Sequence, residues 1–333
     1  MIPGRVRAGW LPILANAATF ALLAVGTQLL ARQSSPWNPA AWSAPWTGDV
    51  VLVTAGLLFL GLGFMMPLHA GVMNLAIYAE FLAGFAVAIE VMRTPGIDPT
   101  ARAGLALLAG AGAGALAGVV VLWLKWRFAV HEVLSGVLLG GALVPLAAAL
   151  APGPGAPGPG LTQHALLTGG ILLLALALLV AFAFAHYLRA SAHGFHLRIV
   201  GSNPLAAVAA GVDVDLVQLW MLAVGGACAG ITGALVLLAQ PSPALERWPL
   251  PLAFAGITVA TYGLGSVRGV IAASLLFALW LLAPGTPVPL EDPAWGTAAA
   301  ALLVLPALWT LPRILPDQGA PRALWRTRHR EPY

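Results

Sequence analysis

The stretch "GFHLRIVGSNPLAAVAAGV", residues 194–212, lies between two long apolar runs and spells out a short helix bounded at both ends. Asn203 is a strong N-cap residue, because its side-chain oxygen accepts from a backbone N–H of the first turn. Pro204 falls at the first helical position, where its missing N–H costs nothing. Leu205 to Ala210 continue the helix, and Gly211 suits the left-handed position just past a helix end. At 1.5 Å per residue this helix is about 10 Å long. One so short is marginal in water and has to be held by packing, on its own bundle or on a partner. Ala206, Ala207, Ala209 and Ala210 give it a smooth surface suited to a groove, and Gly194, Arg198 and Gly201 bracket the turn that leads into it. It is either an ordinary loop helix lying on a membrane, or a docking element that passes force from a cytoplasmic partner into the bundle.

The membrane enters through composition. Of 333 residues, 60% are hydrophobic and only 8% charged, against about a quarter charged in a soluble domain. Such a chain cannot cover a globule with polar surface, so the bilayer is its main solvent. The net charge of +4 does not mark a nucleic-acid binder. The arginines sit at the ends of apolar runs and in the C-terminal tail, with no basic stripe interleaved with aromatics. The single cysteine, Cys228, excludes an internal disulfide and a cysteine metal cluster. It reads as a small packing residue.

A helix crossing about 30 Å of hydrocarbon needs roughly 20 apolar residues. The chain offers ten candidate spans, near 10–31, 50–67, 74–92, 101–124, 131–150, 161–188, 215–239, 250–263, 267–284 and 295–315. The first is longer than the apolar core of a signal peptide and reads as a retained anchor. The eighth is short, as a re-entrant segment or half of a broken helix would be. With the N-terminus inside, twelve of the sixteen Lys and Arg residues fall on the inner face, leaving Arg32, Arg93, Arg102 and Arg247 outside. That asymmetry predicts both termini in the cytoplasm. The expected fold is an all-α polytopic bundle forming one membrane domain over 1–333. Residues 189–214 make its longest inner loop and 316–333 a basic cytoplasmic tail. Gly110, Gly114 and Gly118 line one face of the fourth span, and Gly226 and Gly230 one face of the seventh. Such faces let helix backbones approach closely.

Polar groups in hydrocarbon are costly, so each needs a partner or a task. "HAGVMNLAIYAE" joins the second and third spans and carries His69, Asn74, Tyr78 and Glu80. It reads either as a satisfied bend or as a break, with Gly71 and Asn74 at the discontinuity, whose polar groups line a solute path. Glu132, in "HEVLSG", is either a first-turn acid favoured by the helix dipole or a further path residue. Thr258 lies in "GITVATYGLGSVRG". His69 and His131 are single histidines with nothing nearby to complete a metal site. No catalytic set is visible: there is no phosphate-binding loop, zinc-protease helix or nucleophile elbow. Any nucleotide-driven work has to come from another chain.

The segment 194–212 resembles the cytoplasmic coupling segment of bacterial ABC importer permeases for simple sugars, nucleosides and branched-chain amino acids. Gly194, Arg198, Gly201, Asn203, Ala206, Ala207 and Gly211 match its pattern, G-x-x-x-R-x-x-G-x-N-x-x-A-A-x-x-x-G, with Pro204 at the helix start. "HEVLSGVLLGGAL" is similar to the N-E-V-(I/L)-(S/T)-x-x-x-L-N segment of the nucleoside-type permeases, and "FAGITVATYGLGSVRGVIAASLLFAL" to their F-x-G-I-A-V-A-L-L-G segment and its P-x-G-x-x-x-A-x-L-F-G continuation. The resemblance runs from about residue 50 to 310. There are departures. The N-I-G-x-E-G-Q segment is "NLAIYAE" here, keeping Asn74 but with Tyr78 in place of Glu and Glu80 in place of Gln. His131 and Gly140 stand where the family has Asn, and "GLGSVRG" replaces a turn that ends in Pro.

The resemblance implies a non-enzymatic transport subunit of a bacterial plasma membrane. A second permease, identical or related, would complete the pore. A cytoplasmic ATPase holding ATP and Mg²⁺ would grip the coupling loop, and an external binding protein would deliver solute. The chain itself would hold no cofactor. Asn74, Tyr78, Glu80, Glu132 and Thr258 are its candidate path residues. Ala207→Arg is expected to uncouple ATP hydrolysis from uptake. The rival readings are a branched-chain amino acid permease and an ATP-independent secondary transporter. The latter would need ion ligands at mid-membrane, for which only Glu80 and Glu132 offer themselves.

Overall fold

A computed structural model describes residues 44–150, 161, 163–239 and 249–281. The described residues are helical, with no strand among them. In chain order the helices are α1 (Ala44–His69), α2 (Ile77–Met92), α3 (Pro99–Phe128), α4 (Glu132–Leu150), α5 (Gln163–Ala190), α6 (Ala192–Ser202), α7 (Pro204–Ala209), α8 (Val214–Leu238), α9 (Pro249–Tyr262) and α10 (Val267–Leu281). Four of them, α1, α3, α5 and α8, are long and apolar enough to cross a membrane. The spans expected at 10–31 and 295–315, and the tail 316–333, lie outside the described residues.

α1 is the shaft of the bundle. Leu57, Leu58, Phe59, Leu60, Leu62 and Phe64 are all fully buried, and α5, α8, α9 and α10 pack around it. The second interior seam is the meeting of α2, α3 and α8, built on glycine. A Cβ on Gly114 would fall on the carbonyl oxygen of Gly226, and one on Gly230 on that of Gly110. Gly84 meets Gly230 in the same way, and a Cβ on Gly63 of α1 would stand 2.7 Å from the Gly225 carbonyl. The absence of side chains brings these backbones together, so dispersion between main chains holds the seam. Cys228 is buried beside Gly63, as a small packing residue.

The outward faces of α3, α4 and α5 carry large exposed apolar side chains, among them Leu108, Leu138, Leu172, Leu179 and Phe182. A water-soluble monomer does not present so much contiguous apolar surface. Here these faces meet lipid or another chain.

One predicted span changes in the structure. The segment predicted at 74–92 is helical only from Ile77, because Pro67 to Val72 closes off α1. Gly71 takes φ +74°, the Val72 N–H donates to the Pro67 carbonyl and the Gly71 N–H to that of Leu68. This 6→1 and 5→2 pair satisfies the last carbonyls of a helix that stops at a left-handed residue. What remains of α2 is 16 residues, about 24 Å and short of a hydrocarbon core. The eighth span, expected to be short at 250–263, is the 14-residue α9, and α10 is the described part of the ninth. A tight turn joins them, with Leu264 at φ +53° and Gly265 at φ +60°. Gly263 and Gly269 touch through their backbones. Both helices lean on Gly61 of α1, whose absent Cβ would stand 2.8 Å from Val270 and 2.9 Å from Val259.

Two of the arginines counted against the inward positive bias serve as helix caps. Arg102 donates to the carbonyls of Met92, at 3.1 Å, and Thr94, at 3.3 Å, closing the end of α2. Arg93 pairs with Glu90 and donates to the Leu150 carbonyl at the end of α4, at 2.8 Å. Cations at helix C-termini are favoured by unpaired carbonyls and by the helix dipole.

Candidate coupling loop and buried polar break

From Asn203 to Asp213 the loop folds as the sequence predicts, with α7 one residue shorter than expected, but the entry turn expected around Gly194, Arg198 and Gly201 is the 11-residue helix α6. Ser191 caps α6 by accepting from the Gly194 N–H at 2.8 Å. Asn203 caps α7 by accepting from the Ala206 N–H at 3.1 Å, and Pro204 stands at the first position. Gly211, at φ +76°, ends it. The Val212 N–H donates to the Ala207 carbonyl and the Gly211 N–H to that of Val208, the same closure that ends α1. Asp213 caps α8 through the Leu216 N–H.

Seating of the loop depends on two glycines. A Cβ on Gly194 would strike the Tyr187 carbonyl at the end of α5, and one on Gly201 the His69 carbonyl at the end of α1. The fully buried Leu197 and Val200 point α6 the same way. In α7, Ala207 is the buried residue, while Ala206, Val208, Ala209 and Ala210 are exposed. The expectation attached to Ala207→Arg therefore needs correcting. That side chain faces its own bundle, so an arginine there would unseat α7 before it met any partner. Exposed Phe195, Arg198 and Val208 complete the outward surface. Phe195 and Val208 do not stand out in the sequence, where an apolar residue in a loop carries no mark of which way it faces.

The break between α1 and α2 lies against this loop. Asn74 and Glu80 are both buried, Glu80 completely. The Asn74 amide donates to Glu80 Oε2 at 2.8 Å and to the Gly63 carbonyl of α1 at 3.2 Å. Asn74 Oδ1 and Glu80 Oε1 are buried without a hydrogen-bond partner. The Glu80 carboxyl fills the gap beside the α3–α8 seam. A Cβ on Gly118 would stand 2.9 Å from its Oε1, and one on Gly226 3.1 Å from its Cδ. Gln218 of α8, also buried, donates to the Ala70 carbonyl at 3.3 Å. Gln218 is not among the candidate residues named from the sequence, although a polar residue one turn inside an apolar span is a signal the sequence does carry. His69 accepts no special role: its Nδ1 lies 2.9 Å from the Met65 carbonyl and its ring sits edge-on to Phe184.

The other candidate path residues do not gather here. Tyr78 is half-buried against α4, where a Cβ on Gly140 would stand 3.0 Å from its ring. Glu132 lies at the start of α4 and pairs with Lys125 at 3.1 Å across the α3–α4 connection, with His131 at 3.8 Å. Thr258 is buried in α9, its carbonyl accepting from the Thr261 hydroxyl at 2.8 Å. The structure thus joins Asn74 to Glu80 and leaves Tyr78, Glu132 and Thr258 in separate surroundings.

Residues 47–283 match the family described as the permease component of the branched-chain amino acid transport system. The chain belongs to this permease family. It is 26% identical over 283 residues to the guanosine ABC transporter permease protein NupP of Bacillus subtilis, covering 78% of this chain and 79% of that protein. It is 27% identical over 290 residues to the glucose ABC transporter permease protein TsgB13 of Haloferax volcanii, covering 78% of this chain and 73% of that one. The family match takes in nearly all of the described helices, so the glycine seam, the polar break and the loop 191–213 all lie inside the matched region.

Proposed function

We propose that this permease forms half of the solute path of an importer for nucleosides or simple sugars in a bacterial plasma membrane. A second permease, identical or related, completes the path. A cytoplasmic ATPase binds the loop 189–214, and an external binding protein delivers the solute. ATP and Mg²⁺ belong to the ATPase. The arrangement has about ten spans, with both termini and the coupling loop in the cytoplasm. The relatives named for guanosine and glucose support a solute built on a hydroxylated sugar ring.

The observation that carries this reading is the construction of α7. A helix of six residues has too few internal hydrogen bonds to persist alone. It is capped at both ends, seated by one buried alanine and left with a smooth apolar outer face. That is what a lever needs: rigidity without length, and a surface that another chain can grip. ATP-driven movement of the ATPase would press on this face and switch the path between its two accesses.

The test is purification of the tagged permease from its native membrane in mild detergent, with identification of what accompanies it. Its second stage is reconstitution in vesicles with the binding protein and labelled guanosine or glucose. The expected result is a co-purifying ATPase and a second permease, and ATP-dependent uptake of one solute. A chain that comes out alone, under conditions that keep a known importer whole, would overturn the reading.

A further inference from the structure

We propose that Glu80 is a positioning residue, which locks the break between α1 and α2 onto the α3–α8 seam so that movement of the coupling loop reaches that seam. The inference rests on the coupling role proposed for residues 189–214.

The geometry forms a continuous chain of contacts. Gly201 of α6 lies flush against the His69 carbonyl, the last residue of α1. The next carbonyl, that of Ala70, accepts from Gln218 of α8. A few residues on, Asn74 holds Gly63 of α1 with one amide hydrogen and Glu80 with the other. The Glu80 carboxyl then fills the space beside Gly118 and Gly226. A push on α6 enters the break at its first residue and leaves it through the carboxyl. By rise per residue, Glu80 stands about 10 Å from the Lys125 end of α3 and about 12–18 Å from the start of α8. That is about two helical turns in from the helix ends, beyond direct reach of the loop.

A second observation separates a latch from a passive brace. Asn74 Oδ1 and Glu80 Oε1 have no partner although both are buried. A buried polar cluster whose oxygens lack a partner within the protein is costly in that packing. An alternative packing that gives those oxygens a partner lies correspondingly closer in free energy. Coupling between distant sites needs such an element, one with two discrete arrangements that both sites bias. Full burial also argues against direct solute contact, since Glu80 has no exposed surface in this arrangement.

The test uses the assembled importer in a Cys228→Ser background. One spin label goes at Ala192→Cys on α6 and a pair at Leu116→Cys and Trp220→Cys on α3 and α8, positions that are all exposed. ATP with vanadate is compared with nucleotide-free complex. In the unmodified latch, the α6 signal changes and the α3–α8 distance shifts by about 1–2 Å, the size of helix displacements at such switches. In Glu80→Leu the α6 response persists and the α3–α8 shift is lost. Asn74→Ala, which adds no bulk, gives the same pattern should the leucine variant fail to assemble. Glu80→Gln keeps an acceptor for Asn74 and restores the shift. A shift that survives in both Glu80→Leu and Asn74→Ala overturns the latch alone, as does failure of Glu80→Gln. No response at α6 in the unmodified complex overturns the coupling role and the latch with it.

Discussion

Gly118→Ala and Gly112→Ala differ by six positions on one helix and should move stability in opposite directions. Both exchanges gain helix propensity, up to about 1 kcal/mol, so the difference between them is steric. Around Gly112 nothing lies within 4 Å of a new Cβ. At Gly118 the methyl group would stand 2.7 Å from the Leu222 carbonyl oxygen and 2.9 Å from Glu80 Oε1, where ordinary contact begins at 3.4 Å. Relief needs a separation of about 0.7 Å, and a gap of that size forfeits a quarter to a half of each dispersion contact along the seam. Overpacking of this kind costs about 1–3 kcal/mol, which outweighs the propensity gain. The contrast between the variants is then the overpacking cost itself, roughly 1–3 kcal/mol, or about 2–6 °C in melting temperature at the 2 °C per kcal/mol of a large chain. The assay is heating of the detergent-purified permease, monitored by loss of its monodisperse size-exclusion peak. Equal melting of the two variants would refute the idea that backbone contact holds α3 to α8.

Asn203→Ala removes the cap of α7 and costs that helix about 1 kcal/mol. ATP-driven uptake in vesicles should fall, and Asn203→Ser should restore it. Ala209→Arg, on the outward face, should leave the melting temperature within about 1 °C of the parent and sharply reduce co-purifying ATPase. Ala207→Arg, on the buried face, should lower the melting temperature itself. Arg102→Ala strips two carbonyls at the end of α2 of their donor and should destabilise the detergent-purified chain by about 1 kcal/mol in the same melting assay. Lys125→Ala leaves Glu132 without its cation in a half-buried site and should cost about 1 kcal/mol, a loss that shrinks at high salt.

What could be read from the sequence was local. The cap, proline and closing glycine of α7 lie within nine residues, and each acts on its immediate neighbours. The stripes Gly110–Gly114–Gly118 and Gly226–Gly230 were visible because the helical repeat puts them on one face. Gly63 and Gly84 stand in the same seam but carry no such spacing, and only three-dimensional packing picks them out. Orientation was hidden too. Four alanines within five residues look alike until the bundle buries Ala207 and leaves the others outside. The polar residues show the same limit. Asn74 and Glu80 were marked as costly, but their joint dependence on Gly63, Gly118 and Gly226 comes from three other helices. Glu132 was legible as a first-turn acid or a path residue, and its bond to Lys125 bridges a turn at Ala129 whose left-handed φ of +52° nothing nearby foretells.

The burial of α1 also bears on how the chain is made. α1 leaves the ribosome early, yet the helix that packs along its glycine edge, α8, ends 169 residues after His69, at Leu238. At the usual pace of synthesis, about 5–20 residues per second, the shaft waits roughly 8 to 34 seconds for that partner. Through that interval its apolar surface can rest in lipid without cost. Asn74 has its main-chain carbonyl on α1 from the start, but Glu80 cannot rest there, because the pocket for its carboxyl forms only with α3 and α8. The short α2 is therefore a poor candidate for early release into the bilayer. It is better kept at the insertion machinery until α3 and α8 arrive to enclose it.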